Sequence, residues 1–444
     1  MVTSRIARVV CALVLFVGLA GSATAQNAVD LGKRNARSKY TLGRVFAVQE
    51  LSDGRVVASD TKEQVFRMVD LARGDVGLIG KQGDDSATYR TASVVVRLPG
   101  DSLGLYDPAG RKMLHLTPQG TIARFVPLPT MSNGRRIGTL LGADPNGSLY
   151  FTIPEQFDTA TKSLTGVASV TRFGIGADAD EPQLTYRTRR ADQLKMSGIM
   201  PYIFRDAVAV RSDGLLARVV ADTYQVIWAR NGRETGRTGP LSFQPIPIPV
   251  AEQQAIKDST VEAMKAMMMA GRGSASAAGG GAAADMAKGD AEHRMVMIVG
   301  AGGGGGGAPL VVSGGGGDMA FAKGFAAGMA DAQGGRGGDA KAITAGAFNP
   351  ADLPLGKFPE FKPAILSSGV VATFDANGML WVARERVHGD AVPHYDVIAE
   401  GKGVVARVNL PAGTRLVGFG KNAVYLARDE EGSDWLERYA MPKM

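Results

Sequence analysis

Cysteine is almost missing from this chain: Cys11 is the sole one among 444 residues. It falls inside an N-terminal leader. The mature chain would therefore hold no disulfide, thiolate nucleophile or thiolate metal site, and a sizeable core must supply its cohesion. Histidine is scarce too, at four residues. His115, His388 and His394 are spaced too irregularly for a metal motif. No long run of one charge sign occurs. The formal charge of +7 falls to about +5 without Arg5 and Arg8, a solvated balance that gives no reason to expect a nucleic-acid partner. The longest apolar run before the Gly-rich region, Val9 to Ala20, is shorter than the about 20 residues a membrane span needs. No membrane span is expected.

The leader has three parts: Arg5 and Arg8, then the apolar run, then Ala23-Thr24-Ala25 before Gln26. This is the layout of a secretory signal peptide over residues 1–25, cleaved near Ala25-Gln26. It predicts a secreted or periplasmic protein. Cys11 precedes the small-residue site, so no lipoprotein anchor is expected.

From Tyr40 onward, turns and short β-runs alternate. Ser52-Asp53-Gly54, Pro145-Asn146-Gly147, Ser212-Asp213-Gly214 and Ala376-Asn377-Gly378 each precede a run rich in Val, Leu, Tyr or Trp. Gly in such turns supplies the positive φ of tight hairpins, and the runs suit pleated strands. Val56-Val57-Ala58-Ser59-Asp60-Thr61 resembles Val219-Val220-Ala221-Asp222-Thr223. In these units an Asp after the strand bonds its own backbone and closes the turn. Recurring four-strand units predict an all-β fold, a six-bladed β-propeller of four-stranded antiparallel blades. Blades are placed near 43–90, 91–130, 136–187, 199–244, 363–410 and 411–441. The last shows about three strand-like runs, and the N-terminal chain is expected to add its fourth and close the ring.

The organisation is thus a signal peptide at 1–25, blades 1–4 within 26–249, a helix at 250–270, a low-complexity insertion at 271–346 and blades 5–6 within 347–444. The helix shows Ile256, Val261, Met264 and Met268 on one side and Gly271 as a stop. The Gly/Ala/Met-rich insertion between blades 4 and 5 has too few large apolar groups to offset its ordering entropy. It reads as a flexible loop.

These residues resemble the secreted bacterial six-bladed propellers of the TolB-like and NHL type. The similarity lies in Val48 to Val56, Leu98-Pro99-Gly100-Asp101-Ser102-Leu103 with Asp107, Gly378 to Val382, Leu410 to Leu416 and Val424 to Glu430. The resemblance implies a six-bladed ring with a binding or interaction role. The Gly-rich insertion departs from that compact pattern.

Three motifs invite chemistry. Gly100-Asp101-Ser102-Leu103-Gly104 matches hydrolase strings, yet a nucleophile elbow needs a following helix, and Leu105-Tyr106-Asp107-Pro108 reads as strand and turn. The glycines from Gly300 lack the helix N-terminus of a dinucleotide site. On a strand, His293, Met295 and Met297 share one face, and imidazole with thioethers suits copper(I). Candidate ligand contacts are the basic pair Arg189 and Arg190, and the loop histidines His388 and His394. Trp228, Trp381 and Trp435 fall in strands and are expected in the core.

The favoured function is a non-enzymatic exported scaffold whose faces bind a protein, peptide or glycan, with no cofactor predicted. The alternative is a calcium-dependent lactonase-type hydrolase with its metal in the channel; Asp206, Asp213 and Asp375 are its candidate ligands because they lie near strand starts. A copper-binding insertion is the third reading. The channel-lining side chains decide between the first two.

Overall fold

The computed structural model describes residues 28–131, 137–158, 163–174, 180–195, 201–261 and 357–444, with the backbone of 297–299 and 310–312. It is an all-β propeller of six antiparallel blades. From inner to outer strand, blade 1 runs Val45–Glu50, Val56–Asp60, Val65–Asp70 and Asp75–Leu78. Blade 2 covers 95–127, blade 3 covers 140–187, blade 4 covers 207–238 and blade 5 covers 372–409. Blade 6 takes its inner three strands from Thr414–Gly420, Ala423–Glu430 and Ser433–Ala440. Its outermost strand is Arg34–Arg37, paired antiparallel with Ser433–Ala440. The N-terminal chain thus closes the ring, as the sequence pattern predicts. It also does something the pattern did not suggest. Ala28–Asp30 adds a fifth, parallel strand to the edge of blade 5, so one short stretch straps two blades.

Inner strands of successive blades touch from blade 6 through blade 1 round to blade 5 and surround the axis. Between blades the core is continuous. Trp381 and Phe419 pack across blades 5 and 6, with ring centroids 5.1 Å apart. Trp228 and Trp381 are buried as expected, each indole N–H donating to a buried acceptor, Thr238 and Asp375 respectively. Trp435 is not in the core. It is half-buried on blade 6, with the Arg37 guanidinium 4.0 Å above its ring, so it fastens the closing strand instead.

Antiparallel order gives the ring two distinct faces. Blade-to-blade connections and the turns between second and third strands share one face, the connection face. The turns joining first to second strands share the other. On the connection face, buried acids stitch the seams. Asp60, at the end of a second strand, accepts the N–H groups of Gly43 and Arg44 from the incoming connection and of Glu63 in its own turn. Asp107 does the same for Arg90, Thr91 and Gly110. Asp434 accepts Val45 N–H at 2.6 Å and the Arg415 guanidinium, tying blade 6 to blade 1.

One helix begins at Val250 and is described as far as 261. The remainder of the expected helix, the expected flexible segment 271–346 and the leader 1–25 lie outside the described residues, except that backbone 297–299 pairs antiparallel with 310–312.

Asp434 is fully buried with a charged partner. Asp434→Ala should therefore cost about 3–5 kcal/mol by leaving Arg415 uncompensated, read as a lower urea midpoint. A loss no larger than that of Asp53→Ala, at an exposed turn, would show that the seam acids do not hold the ring.

Candidate functional site

The inner strands decide what the channel can do. Their sequences are VFAVQE, VVR, LLGA, AVAV, ATF and TRLVGFG. Glu50 is the sole carboxylate among them, and it accepts the Tyr425 hydroxyl at 2.7 Å. Close approach further narrows the ring: a Cβ on Gly418 would meet the Val48 carbonyl at 2.4 Å.

The three candidate calcium ligands do not converge. Asp206 precedes the first strand of blade 4 on the connection face, whereas Asp213 and Asp375 follow first strands on the opposite face. Seven residues of extended chain separate Asp206 from Asp213, roughly 20 Å, far beyond shared coordination. Each carboxylate is also already engaged. Asp206 accepts Arg187 N–H, Ala221 N–H and the Arg218 guanidinium. Asp213 is gripped by Arg211 and Arg230, and the Arg211 hydrogen bonds hold its carboxyl well below the usual range. Asp375 accepts Asn377 N–H, Met379 N–H and Trp381 Nε1–H. Among the described residues, no three His, Cys, Asp or Glu side chains gather as a metal site. Of the copper candidates, His293 and Met295 lie outside the described residues, and only the backbone of Met297 is described.

The other candidates divide. Arg190 is paired with Asp192 at 2.6 and 2.8 Å and lies 4.3 Å over the Phe204 ring. Arg189 reaches Glu155 at 3.4 Å, and its buried Nε has no partner. Both nitrogens of His394 are occupied, by Asn409 and Asp390 at 2.7 Å each, and Asn409 in turn donates to Asp30. His394 therefore clasps the added N-terminal strand. Ser102 is a turn residue as expected. Its hydroxyl donates to the Pro99 carbonyl at 2.8 Å, and His115 lies 3.0 Å away. Ser102 is buried and its proton points away from His115, so the pair does not form an exposed, activated nucleophile. A cleft of about 410 Å³ lies between blades 1 and 2, lined by Arg55, Met68, Leu78, Ile79 and Ile122 among others, and holds none of these residues.

His388 is different. It stands on the connection face at the rim of a buried ionic cluster that the sequence did not reveal. Glu252, on the helix, accepts Lys362 Nζ–H at 2.6 Å and the Tyr202 hydroxyl on Oε1. Lys362 also donates to the Arg386 carbonyl at 2.7 Å and lies 5.1 Å from the Tyr202 ring. Glu252 and Lys362 are each 5% exposed. Burial, then the Glu252 carboxylate, pushes the Tyr202 hydroxyl well above its ordinary value. Tyr202 itself has φ +56, a left-handed backbone rare for an aromatic residue. Gln193 holds it there by donating to the Tyr202 carbonyl. Glu385 is the seam acid of blade 5, and burial raises its carboxyl to about 6 despite the nearby Lys362. Glu252 Oε2 has no partner; His388 Nδ1 lies 4.0 Å away. Exposed Val250, Phe361 and Val387 surround the cluster in sequence.

No family model matches the chain, and no curated protein matches it. Solved propellers are similar in shape. A regucalcin from Agrobacterium tumefaciens is 9% identical, covering 94% of this chain and 97% of its own, with a TM-score of 0.37. A gluconolactonase from Xanthomonas campestris is 9% identical, with 93% and 97% covered and a TM-score of 0.38. A streptogramin B lyase is 10% identical, with 92% and 86% covered and a TM-score of 0.34. Likeness this distant says nothing about chemistry; the six-bladed ring rests on its own strand pairing.

Glu385 gives a pH signature. Its folded value of about 6 exceeds its ordinary 4.5, so the folded state binds its proton more tightly. This contribution is full below about 4.5 and is lost as pH rises through about 6, amounting to about 2 kcal/mol. Relative to Glu385→Gln, the parent should lose about that much stability between pH 4 and 7 in urea titrations. A difference independent of pH would rule out a buried, proton-holding Glu385.

Proposed function

We propose that this protein is an exported, non-catalytic propeller of the TolB-like and NHL kind that binds its ligand on the connection face above blades 4 and 5. The single observation that carries this reading is the composition of the inner strands, whose one carboxylate, Glu50, is already bonded to Tyr425. The leader at residues 1–25 supports export, and the connection face, with its half-exposed His388 beside the exposed Val387, offers the surface. Protein, peptide and glycan are the ligand classes such a face serves.

The calcium-dependent lactonase reading needs several oxygen ligands converging in the channel. The candidates Asp206, Asp213 and Asp375 lie at opposite ends of it and are saturated by protein donors, so the donor set does not fit calcium.

Calcium therefore separates the two readings. A site binding calcium only in the folded state would add about 2.7 kcal/mol at a hundredfold excess over Kd, a midpoint rise on the order of 2 °C for a protein this size. The thermal midpoint should be the same in calcium and in EDTA, with no ring opening of a δ-lactone substrate. A calcium-dependent rise accompanied by lactone hydrolysis would replace the scaffold with the enzyme.

A further inference from the structure

The contacts of His394 have a direction that their two ends decide. Asp390 and Asp30 are carboxylates, which only accept hydrogen bonds. At one end, burial opposes the Asp390 charge, but hydrogen bonds from His394 and from Val392 N–H outweigh it and hold the carboxyl below its ordinary range. At the other end, Asp30 Oδ1 lies 2.9 Å from Asn409, which must turn its NH2 group toward it. Asn409 Oδ1 then faces His394 Nδ1 at 2.7 Å, and Asp390 Oδ2 faces Nε2 at 2.7 Å. Both ring nitrogens therefore meet acceptors. Only the imidazolium, with a proton on each nitrogen, satisfies the whole chain from Asp390 to Asp30.

A neutral ring has one proton and leaves one contact between two acceptors. The Asp390 carboxylate is the stronger acceptor and keeps the proton on Nε2, so the deficit falls on Asn409. Its amide either sets Oδ1 against a bare Nδ1 or turns over and sets Oδ1 against Asp30. Both arrangements weaken the tie to the N-terminal strand. The other charges on this side are engaged elsewhere. Arg384 and Arg407 face Asp396, His388 faces Glu252, and Arg386 acts on Asp390 from its own loop.

The strand at stake has little else to hold it. Ala28–Asp30 is three residues long, exposed throughout, and paired along one side only, with Gly403–Asn409. Leu31 N–H closes that ladder on the Asn409 carbonyl at 3.2 Å. Arg34–Arg37 is fastened independently, through Arg34 on Glu437 and Arg37 over Trp435.

We propose that His394 is a proton-operated latch. Its imidazolium fixes Ala28–Asp30 to blade 5. Loss of one proton releases that strand and opens the outer edge of blade 5, while Arg34–Arg37 stays on blade 6.

Hydrogen exchange on the whole protein, read by NMR and corrected for the intrinsic pH dependence of each amide, tests the latch. Leu31 reports the strap, and Ser38, whose N–H donates to the Leu436 carbonyl at 2.8 Å, is the reference. Imidazole changes charge between pH 5 and 8. Over that range Leu31 protection should fall by roughly three- to tenfold against Ser38, the loss of one partly exposed hydrogen bond. His394→Gln removes the titrating group and should abolish the fall. Asp30→Asn should abolish it too, because Asn at that position can donate to the turned-over Asn409 amide, whose NH2 then serves Nδ1. Asp30 is exposed, so this second variant keeps the test intact if the first does not fold. An unchanged Leu31-to-Ser38 ratio, or a fall that persists in either variant, would overturn the latch.

Discussion

A ring of blades tolerates no slack, because each blade must meet the next at one angle and the last must meet the first. Strand ladders satisfy backbone groups within a blade, but the connection entering each blade brings N–H groups that no ladder reaches. Left buried and unpaired, these would be costly. The chain answers with a carboxylate at the end of the second strand. Asp60 receives Gly43 and Arg44, Asp107 receives Arg90 and Thr91, and Glu385 receives Ser367. In blade 4 the polarity is reversed: Asp206 lies on the incoming connection and accepts the N–H of Ala221, at the end of the second strand. Of the three acids that resemble ligands in the sequence, Asp206 is spent on a seam, and Asp213 and Asp375 on the hairpin turns of the opposite face.

The blades were legible because local chemistry and tertiary structure agree. Asn-Gly and Asp-Gly turns stand at hairpins, and the runs between them form strands. Even the missing fourth strand of blade 6 could be inferred, since an open ring would leave two edges bare. The seam role of the acids was only half legible. A turn-closing Asp bonds residues within a few positions, as Asp107 does with Gly110, and that is visible in sequence. Its bonds to residues sixteen and seventeen positions upstream depend on how one blade leans on the next, which no local pattern encodes. Trp435 fails for a related reason. Its strand is correctly read, but the neighbour on that face is the N-terminal strand, whose Arg37 takes the place of a core.

The ionic cluster was hidden by the rule that finds helices. Ile256 and Val261 mark the inward face of the helix, and Glu252 sits one turn before Ile256 on that same face. Charge led the eye away from it. A carboxylate on an apolar stripe is itself a signal, because burial must be compensated by partners. Here the partners arrive from far along the chain: Tyr202 from the preceding connection, Lys362 from beyond the insertion.

Why the cluster sits at this seam follows from comparing its acids. Asp60 and Glu385 occupy equivalent places and both are buried. For Asp60, burial opposes the charge, but three backbone N–H groups and Arg67 outweigh it and hold the carboxyl below its ordinary value. Glu385 takes Ser367 N–H at a longer 3.2 Å, and burial wins. The seam into blade 5 is thus the less tightly stitched, at the point where the chain leaves for its long insertion and returns. Glu252 and Lys362 flank that departure and bind each other, supplying the tie that the backbone donors do not. One oxygen of that tie remains unspent beside His388.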